Sequence, residues 1–193
     1  MRITTQRFII PAIAVVLGLA ACSDKNNDKN KVNENKEPSI TVATASNPSN
    51  EGNWKVKPDQ LSSANAPDIK SDLGQLEKII NAANSKGVEL RNEMQNAAQD
   101  PNKVQEILAK TQQIQSETQQ EILALNLKSA EVQNVRVQML DNLSTATQLQ
   151  DLSKQPGFSL SSPSEEFKQL SKRSMVQQQK IGDDLNQLKQ KYA

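Results

Sequence analysis

Histidine is absent from this chain of 193 residues, and cysteine occurs once. The lack of histidine excludes histidine-based catalytic triads, cysteine–histidine nucleophiles and zinc sites that use histidine. The phosphate-binding motif G-x-x-x-x-G-K-[ST] and the nucleophile motif G-x-S-x-G are missing as well. We therefore expect a protein that is not an enzyme and that holds no metal and no cofactor.

Aromatic residues are also scarce, at 3% of the chain, and neither sign of charge dominates, with 23 Lys and Arg against 22 Asp and Glu. So few rings do not predict a thick globular core, whereas a thin apolar seam between helices fits this composition. The balanced charge gives no strong field that would attract nucleic acid. The adjacent carboxylates Asp183-Asp184 and Glu165-Glu166 would point about 100° apart on a helix, so neither pair forms a chelate by itself.

The first 21 residues have the order of a secretory signal. Arg2 and Arg7 precede an apolar run at 8–17, and small residues follow it. The apolar stretch is shorter than the roughly 20 residues that a membrane-spanning helix needs. We predict that residues 1–21 are a signal peptide.

The single cysteine falls where this signal would be cut. Leu19-Ala20-Ala21-Cys22 resembles the lipobox of bacterial lipoproteins. The resemblance implies diacylglyceryl transfer to the Cys22 sulfur, cleavage before Cys22 and acylation of the new terminus with a chain such as palmitate. Two or three acyl chains anchor a protein stably in a membrane. By the same resemblance, Ser23 after the cysteine favours the outer membrane, facing the periplasm; the leaflet stays open.

The segment after the cysteine is polar and interrupted by proline. Such a composition cannot bury enough apolar surface to offset the entropy of ordering. We predict that residues 22–66 are the acylated cysteine plus a disordered linker, and that residues 67–193 form a helical bundle domain. Trp54, the only tryptophan, lies in the linker. It is a candidate for binding a protein partner, and otherwise docks on the helices or is exposed.

After Pro67 the apolar residues recur every three or four positions, the heptad spacing that keeps one stripe of a helix against a partner. The first predicted helix covers about 68–99, with Asp68 as its cap. Asp100 and Pro101 are typical of the cap and first residue of a second helix. The stripe of the first helix consists of Ile69, Leu73, Leu76, Ile80, Ala83, Gly87, Leu90, Met94 and Ala97.

Two readings of the second helix are nearly balanced. It either continues to residue 154 or breaks near 126–130. No Gly or Pro marks a turn there, yet Ser129 could cap a new helix and Asn126 could adopt a left-handed conformation. A break gives four helices of matched length, which cover each other's stripes, yet the missing turn signal slightly favours one long, kinked helix. The predicted fold is all-α: an elongated, antiparallel, coiled-coil-like bundle of three helices, or of four if the break exists, after a disordered tether.

A capping motif precedes the final helix. Ser162-Pro163-Ser164-Glu165 is typical of a capping box with Ser162 as the cap. Phe158 and Leu160 are expected to fold back over the bundle end, and Phe158 is a second candidate for partner binding. Residues 174–180 are polar, which predicts loose or wet packing there.

Anchor, tether and helices together predict a lipid-anchored lipoprotein of the bacterial cell envelope. We expect a structural or protein-interaction module in the periplasm, with membrane lipid bound through Cys22 and a protein partner, but no nucleic acid. The alternative is an inhibitor, immunity or exclusion lipoprotein that binds one specific protein through an exposed apolar patch. A heptad stripe can also close between chains, so a homo-oligomer stays open.

Overall fold

The computed structural model describes residues 52–97, 100–159 and 161–192. Within these ranges the chain forms four α-helices and one short 3-10 helix, Pro58–Gln60, and no strand is present. The predicted all-α helical bundle is confirmed. The predicted signal peptide and the lipobox lie outside the described residues. The helices are α1 (Ala66–Ala97), α2 (Pro101–Ala124), α3 (Ala130–Ser153) and α4 (Glu165–Tyr192).

Helix α1 follows its apolar spacing closely. Eight of its nine predicted stripe residues are buried, and Met94 is half-buried. The helix begins at Ala66, and its cap is Asn65, whose Oδ1 accepts a hydrogen bond from the Asp68 amide at 3.3 Å. The predicted cap at Asp68 is therefore wrong, because its carboxylate accepts from the Ser62 hydroxyl at 2.8 Å instead.

The starts of α2 and α4 both depend on side-chain caps. Asp100 accepts hydrogen bonds from the second and third amides of α2 at 3.0 and 3.3 Å, and Pro101 is the first helical residue, as predicted. At α4 the cap is Ser164, whose hydroxyl accepts from the Phe167 amide at 3.2 Å. The predicted cap at Ser162 is wrong. A cap at Ser164 places two glutamates in the first turn, where carboxylates interact favourably with the helix dipole.

The long second helix does not form. Helix α2 ends at Ala124 and α3 begins at Ala130, so the slight preference for one unbroken helix is wrong. Leu125 and Ser129 have extended backbone, with φ and ψ of −63° and 139° and of −102° and 138°. The sequence between them contains no Gly or Pro, and Ser129, the N-cap residue of α3, makes no side-chain cap hydrogen bond. Contacts from distant residues instead satisfy backbone groups in the break.

The bundle consists of two antiparallel helical hairpins, α1 with α2 and α3 with α4. They meet in one shared core, to which every helix contributes. A smaller cluster of Leu90, Ala97 and Ile107 lies between α1 and α2 alone. The shared core is formed by Ile69, Leu73, Leu76, Ile80, Ile122, Leu127, Val132, Val135, Met139, Ile181 and Leu185.

The seam between α3 and α4 is polar in its middle. Buried Asn142 donates hydrogen bonds from Nδ2 to the Ser174 carbonyl at 3.2 Å and to its hydroxyl at 3.1 Å. Buried Thr145 donates to Oε1 of Gln177 at 3.2 Å. Gln177 in turn donates to Asp141. The expectation of loose or wet packing at 174–180 is wrong as regards loose packing, because these polar side chains bond directly across the seam; wet packing stays a prediction.

Candidate functional site

Residues 52–65, the docked segment, pack on the connection between α2 and α3. Ser62 pairs with this connection as a strand would. Its amide donates to the Lys128 carbonyl at 2.9 Å, and its carbonyl accepts from the Ala130 amide at 2.8 Å. The prediction of a disordered linker over 22–66 is wrong for this segment, because its polar groups are satisfied by the helix connection. The rest of that range lies outside the described residues.

Asn53 binds the connection through both its side chain and its backbone. Its Oδ1 accepts from the Leu127 amide at 2.9 Å, and its Nδ2 donates to the Leu127 carbonyl. Its own amide donates to the Leu125 carbonyl at 3.2 Å. Gly52 allows this approach, since a Cβ at that position would lie 2.3 Å from the Leu125 carbonyl oxygen.

Arg136 of α3 lies beneath the docked segment and is fully buried. Its guanidinium donates to neutral oxygens: Nε to Oε1 of Gln133 at 2.7 Å, Nη1 to the Leu125 carbonyl at 2.6 Å, and Nη2 to Oδ1 of Asn53 at 2.9 Å. Burial lowers the pKa of Arg136 to about 10, and attraction to Asp72 opposes this shift. The side chain is therefore a buried positive charge at neutral pH.

The docked segment, the α2–α3 connection and the adjoining parts of α1 and α3 meet in a region that we call the junction. Asp72 is its fully buried acidic residue. Its Oδ2 accepts from the amides of Lys128 and Ser129 at 2.8 and 2.7 Å and from the Ser129 hydroxyl at 2.7 Å. Three donors at the start of α3 are thus held by one carboxylate from α1. Its Oδ1 is buried without a hydrogen-bond partner.

Gln133 completes the junction from the α3 side. Its Nε2 donates to the carbonyls of Trp54 and Val56 at 3.1 and 2.8 Å, while its Oε1 accepts from Arg136. Sequence reasoning missed the buried polar residues here. In the sequence Asp72 and Arg136 are ordinary charges beside stripe residues, and no spacing distinguishes them from exposed ones.

The acidic pairs Asp183-Asp184 and Glu165-Glu166 lie apart from this junction. Asp184 accepts hydrogen bonds from Lys180 at 2.7 Å and from Gln138 at 2.8 Å. Burial acts to raise the pKa of Asp184, but these two hydrogen bonds outweigh it, so the pKa is lowered. Glu165 pairs with Lys168 at 2.6 Å. In the described ranges no three Cys, Asp or Glu side chains cluster closely enough to hold a metal ion.

The two predicted partner-binding residues lie at different places. Trp54 is half-buried in the docked segment, and the Lys55 ammonium lies 5.1 Å from the centre of its ring. Phe158 is half-buried at the loop before α4, with its ring centre 5.0 Å from that of Phe167. Their binding of a partner stays a prediction, as does the acylation of Cys22. Met175 and Val176 on α4 are the most exposed large apolar side chains of the described part, at 71% and 60%.

Residues 70–193 match the model of a family described as uncharacterised lipoprotein PM1805. The chain belongs to this lipoprotein family. The match extends from the second turn of α1 through the end of α4 and includes Asp72, Gln133 and Arg136. It confirms the predicted bacterial lipoprotein and associates the protein with the cell envelope. No curated protein and no solved structure gives a significant match to the chain.

Among the described residues, none of the helices combines the length and the apolar character needed to cross a bilayer. The arrangement at the junction directs its charged side chains toward backbone groups and side-chain amides of the same chain. Its chemistry is that of a structural joint between two hairpins and the docked segment.

Proposed function

We propose that this lipoprotein is a lipid-anchored structural or protein-interaction module that faces the periplasm from the outer membrane. The observation that carries the proposal is the docking of residues 52–65 on the junction of the two hairpins. Cys22 precedes Gly52 by 30 positions. Even a fully extended chain of that length spans at most about 105 Å. An anchor at Cys22 would therefore hold the helices near the membrane through the docked segment.

We also propose that the protein is not an enzyme. The buried charges Asp72 and Arg136 are the groups whose environment is most unlike water, and such groups are usual candidates for catalysis. Here each is engaged by backbone or amide groups of the fold itself. This use of both side chains as structural elements supports an interaction role.

The lipid anchor and its membrane can be tested together. Cells expressing the full chain are labelled with a palmitate analogue, and the inner and outer membranes are then separated by density. We expect label on the protein, lost in Cys22→Ser, and recovery in the outer-membrane fraction. Ser23→Asp serves as the sorting variant and is expected to move the protein to the inner membrane. Recovery of the unaltered protein with the inner membrane would contradict the outer-membrane assignment.

The interaction role can be tested by crosslinking in intact cells, followed by purification of the lipidated protein. The matched control is the exported Cys22→Ser variant, which has the same helices and no anchor. We expect at least one protein crosslinked to the lipidated form and lost from the control. If the two forms give the same crosslinks, the anchor has no part in choosing the partner and the proposal fails.

The alternative, an inhibitor or immunity lipoprotein that binds one specific protein, is favoured by the exposure of Met175 and Val176. The double variant Met175→Ser/Val176→Ser removes this apolar pair without touching the core. Val88→Ser on α1, where the side chain is 51% exposed, is the matched control. Loss of one crosslinked partner in the double variant alone would favour the inhibitor over the general module.

A further inference from the structure

The connection between α2 and α3 carries few local signals for a bend. Residues 123–131 read Leu-Ala-Leu-Asn-Leu-Lys-Ser-Ala-Glu and contain neither Gly nor Pro. Leucine, alanine, lysine and glutamate are good helix formers. Asn126 and the N-cap residue Ser129 are its local features that favour an end to the helix, and Ser129 makes no side-chain cap hydrogen bond. The bend therefore depends on contacts from elsewhere in the chain.

The contacts from elsewhere are hydrogen bonds that compete with the helical ones. In a continuous helix the Ser129 amide would donate to the Leu125 carbonyl, four residues earlier. In the bend, the Leu125 carbonyl accepts from the amide of Asn53 and from Arg136, and the Ser129 amide donates to Asp72. A bent connection and a continuous helix therefore use the same backbone groups and exclude each other.

We propose that residues 125–129 are a two-state hinge, bent while residues 52–62 are docked and helical once they are released. Release would join α2 and α3 into one helix over 101–153, about 80 Å long. The inference rests on the contacts of the described residues and not on the proposed function. Its consequence is that the segment leading to the predicted anchor controls the arrangement of the two hairpins.

The docked segment is the part of the hinge that can leave. Asp72 also holds the bend, but it belongs to α1 and stays with the helix. Release of the docked segment removes the Asn53 contacts from the Leu127 amide and carbonyl. It also removes an acceptor from Arg136 and both carbonyl partners of the Gln133 amide group, which further weakens the bent state.

The test uses the mature chain, residues 22–193, with Cys22→Ser so that it is made without lipid. Asn53→Ala removes the central contact, and Asp59→Ala, at an exposed site of the same segment, is the matched control. Two readouts are followed: the ¹³Cα chemical shifts of residues 125–129, which distinguish helix from extended backbone, and acrylamide quenching of Trp54. Because Trp54 is the only tryptophan, its accessibility reports release of the docked segment.

We expect Asn53→Ala to make Trp54 more accessible and to shift residues 125–129 to helical values, and Asp59→Ala to change neither. If Trp54 becomes accessible while residues 125–129 keep extended shifts, the proposal is overturned. It is also overturned if residues 125–129 become helical while Trp54 stays protected.

A second pair of variants covers the case in which Asn53→Ala fails to fold. Asn126 is exposed, and Leu125 before it has the extended conformation that precedes proline readily. Asn126→Ala should raise the population of the helical state about threefold, from the helix propensities of the two residues. Asn126→Pro should abolish that state, since proline breaks a helix interior. Relaxation-dispersion NMR at residues 125–129 measures these populations. Identical relaxation dispersion in the parent chain, Asn126→Ala and Asn126→Pro would overturn the hinge.

Discussion

Nη2 of Arg136 in α3 donates a hydrogen bond to Oδ1 of Asn53, 83 positions earlier in the chain, at a distance of 2.9 Å. The guanidinium is fully buried, and its partners are amide and carbonyl oxygens rather than a carboxylate. A buried charge held in this way depends on every one of its acceptors. The contact thus makes the order of the docked segment and the order of α3 depend on each other.

Arg136→Met should destabilise the protein by about 2–4 kcal/mol. The substitution leaves Oε1 of Gln133 without a donor and removes one of the donors to Asn53 and to Leu125. An unsatisfied buried group costs about 1–3 kcal/mol and the lost hydrogen bonds add to this, which the gain in apolar burial offsets in part. Urea denaturation measures the change. Arg91→Met, at an exposed site of α1, is the control and should stay within about 0.5 kcal/mol of the parent. A more stable Arg136→Met variant would show that the buried charge is a net burden.

Ser164→Ala should cost about 1 kcal/mol, the usual loss for an N-cap serine. Its hydroxyl accepts from the Phe167 amide, which no other side chain satisfies at the start of α4. Ser162→Ala is the matched variant two residues away and should be neutral. Thermal unfolding of the two variants distinguishes the caps, and a larger loss in Ser162→Ala would restore the capping box expected from the sequence.

Gly74→Ala and Gly182→Ala should each stabilise the protein by about 0.5–1 kcal/mol. Both glycines lie inside helices, and a Cβ at either position meets nothing within 4 Å. Alanine lowers the entropy of the unfolded chain without a steric cost. Gly157 has φ of +83°, so Gly157→Ala should destabilise instead. Equal effects at all three sites, measured by urea denaturation, would contradict this reasoning.

The ion pair between Lys86 of α1 and Glu117 of α2 should weaken in acid. A hydrogen bond from Lys86 at 2.8 Å, with another from Gln113, lowers the pKa of Glu117 below its ordinary value of 4.5. A carboxylate whose pKa is lower in the folded state contributes stability above the unfolded pKa and loses it as pH falls through the folded pKa. Carboxyl ¹³C titration should therefore place the Glu117 midpoint below 4.5.

Lys86→Gln is the control for this titration and should move the Glu117 midpoint upward. The effect on unfolding should be small, because both side chains are about half exposed and solvent screens the pair. A midpoint that is the same in the two chains would mean that the ion pair does not persist in solution.

The sequence predicts the helices where the decisive interactions are local. Eight of nine stripe residues of α1 follow from spacing alone, and the Asp100–Pro101 start of α2 follows from the chemistry of the helix terminus. The break after Ala124 could not be predicted in the same way. It depends on Asn53, 74 positions from Leu127, and on Asp72, 56 positions from Lys128. Within residues 125–129 only Ser129, the N-cap residue of α3, is a local signal for the break, and it does not predict those distant contacts.

The candidate site shows the same division. The lipobox is a contiguous motif, whereas the junction is assembled from a proline-containing segment, α1 and α3. Composition predicts disorder for residues 52–65 because they carry little apolar surface. They are nevertheless docked, since single side chains such as Asn53 satisfy several backbone groups at once. An interaction of this kind depends on geometry and leaves no trace in average composition.

The polar seam between α3 and α4 gives this hairpin a property that an apolar heptad stripe lacks. A stripe of similar apolar residues looks nearly the same after a slide of seven positions, so it does not fix the alignment of two helices. Asn142 and Thr145 find Ser174 and Gln177 at one alignment only. Sliding by a heptad would strand buried amides and hydroxyls without partners. The glutamine-rich middle of the last helix thus fixes the register of α4 against α3, and with it how far the two helices overlap.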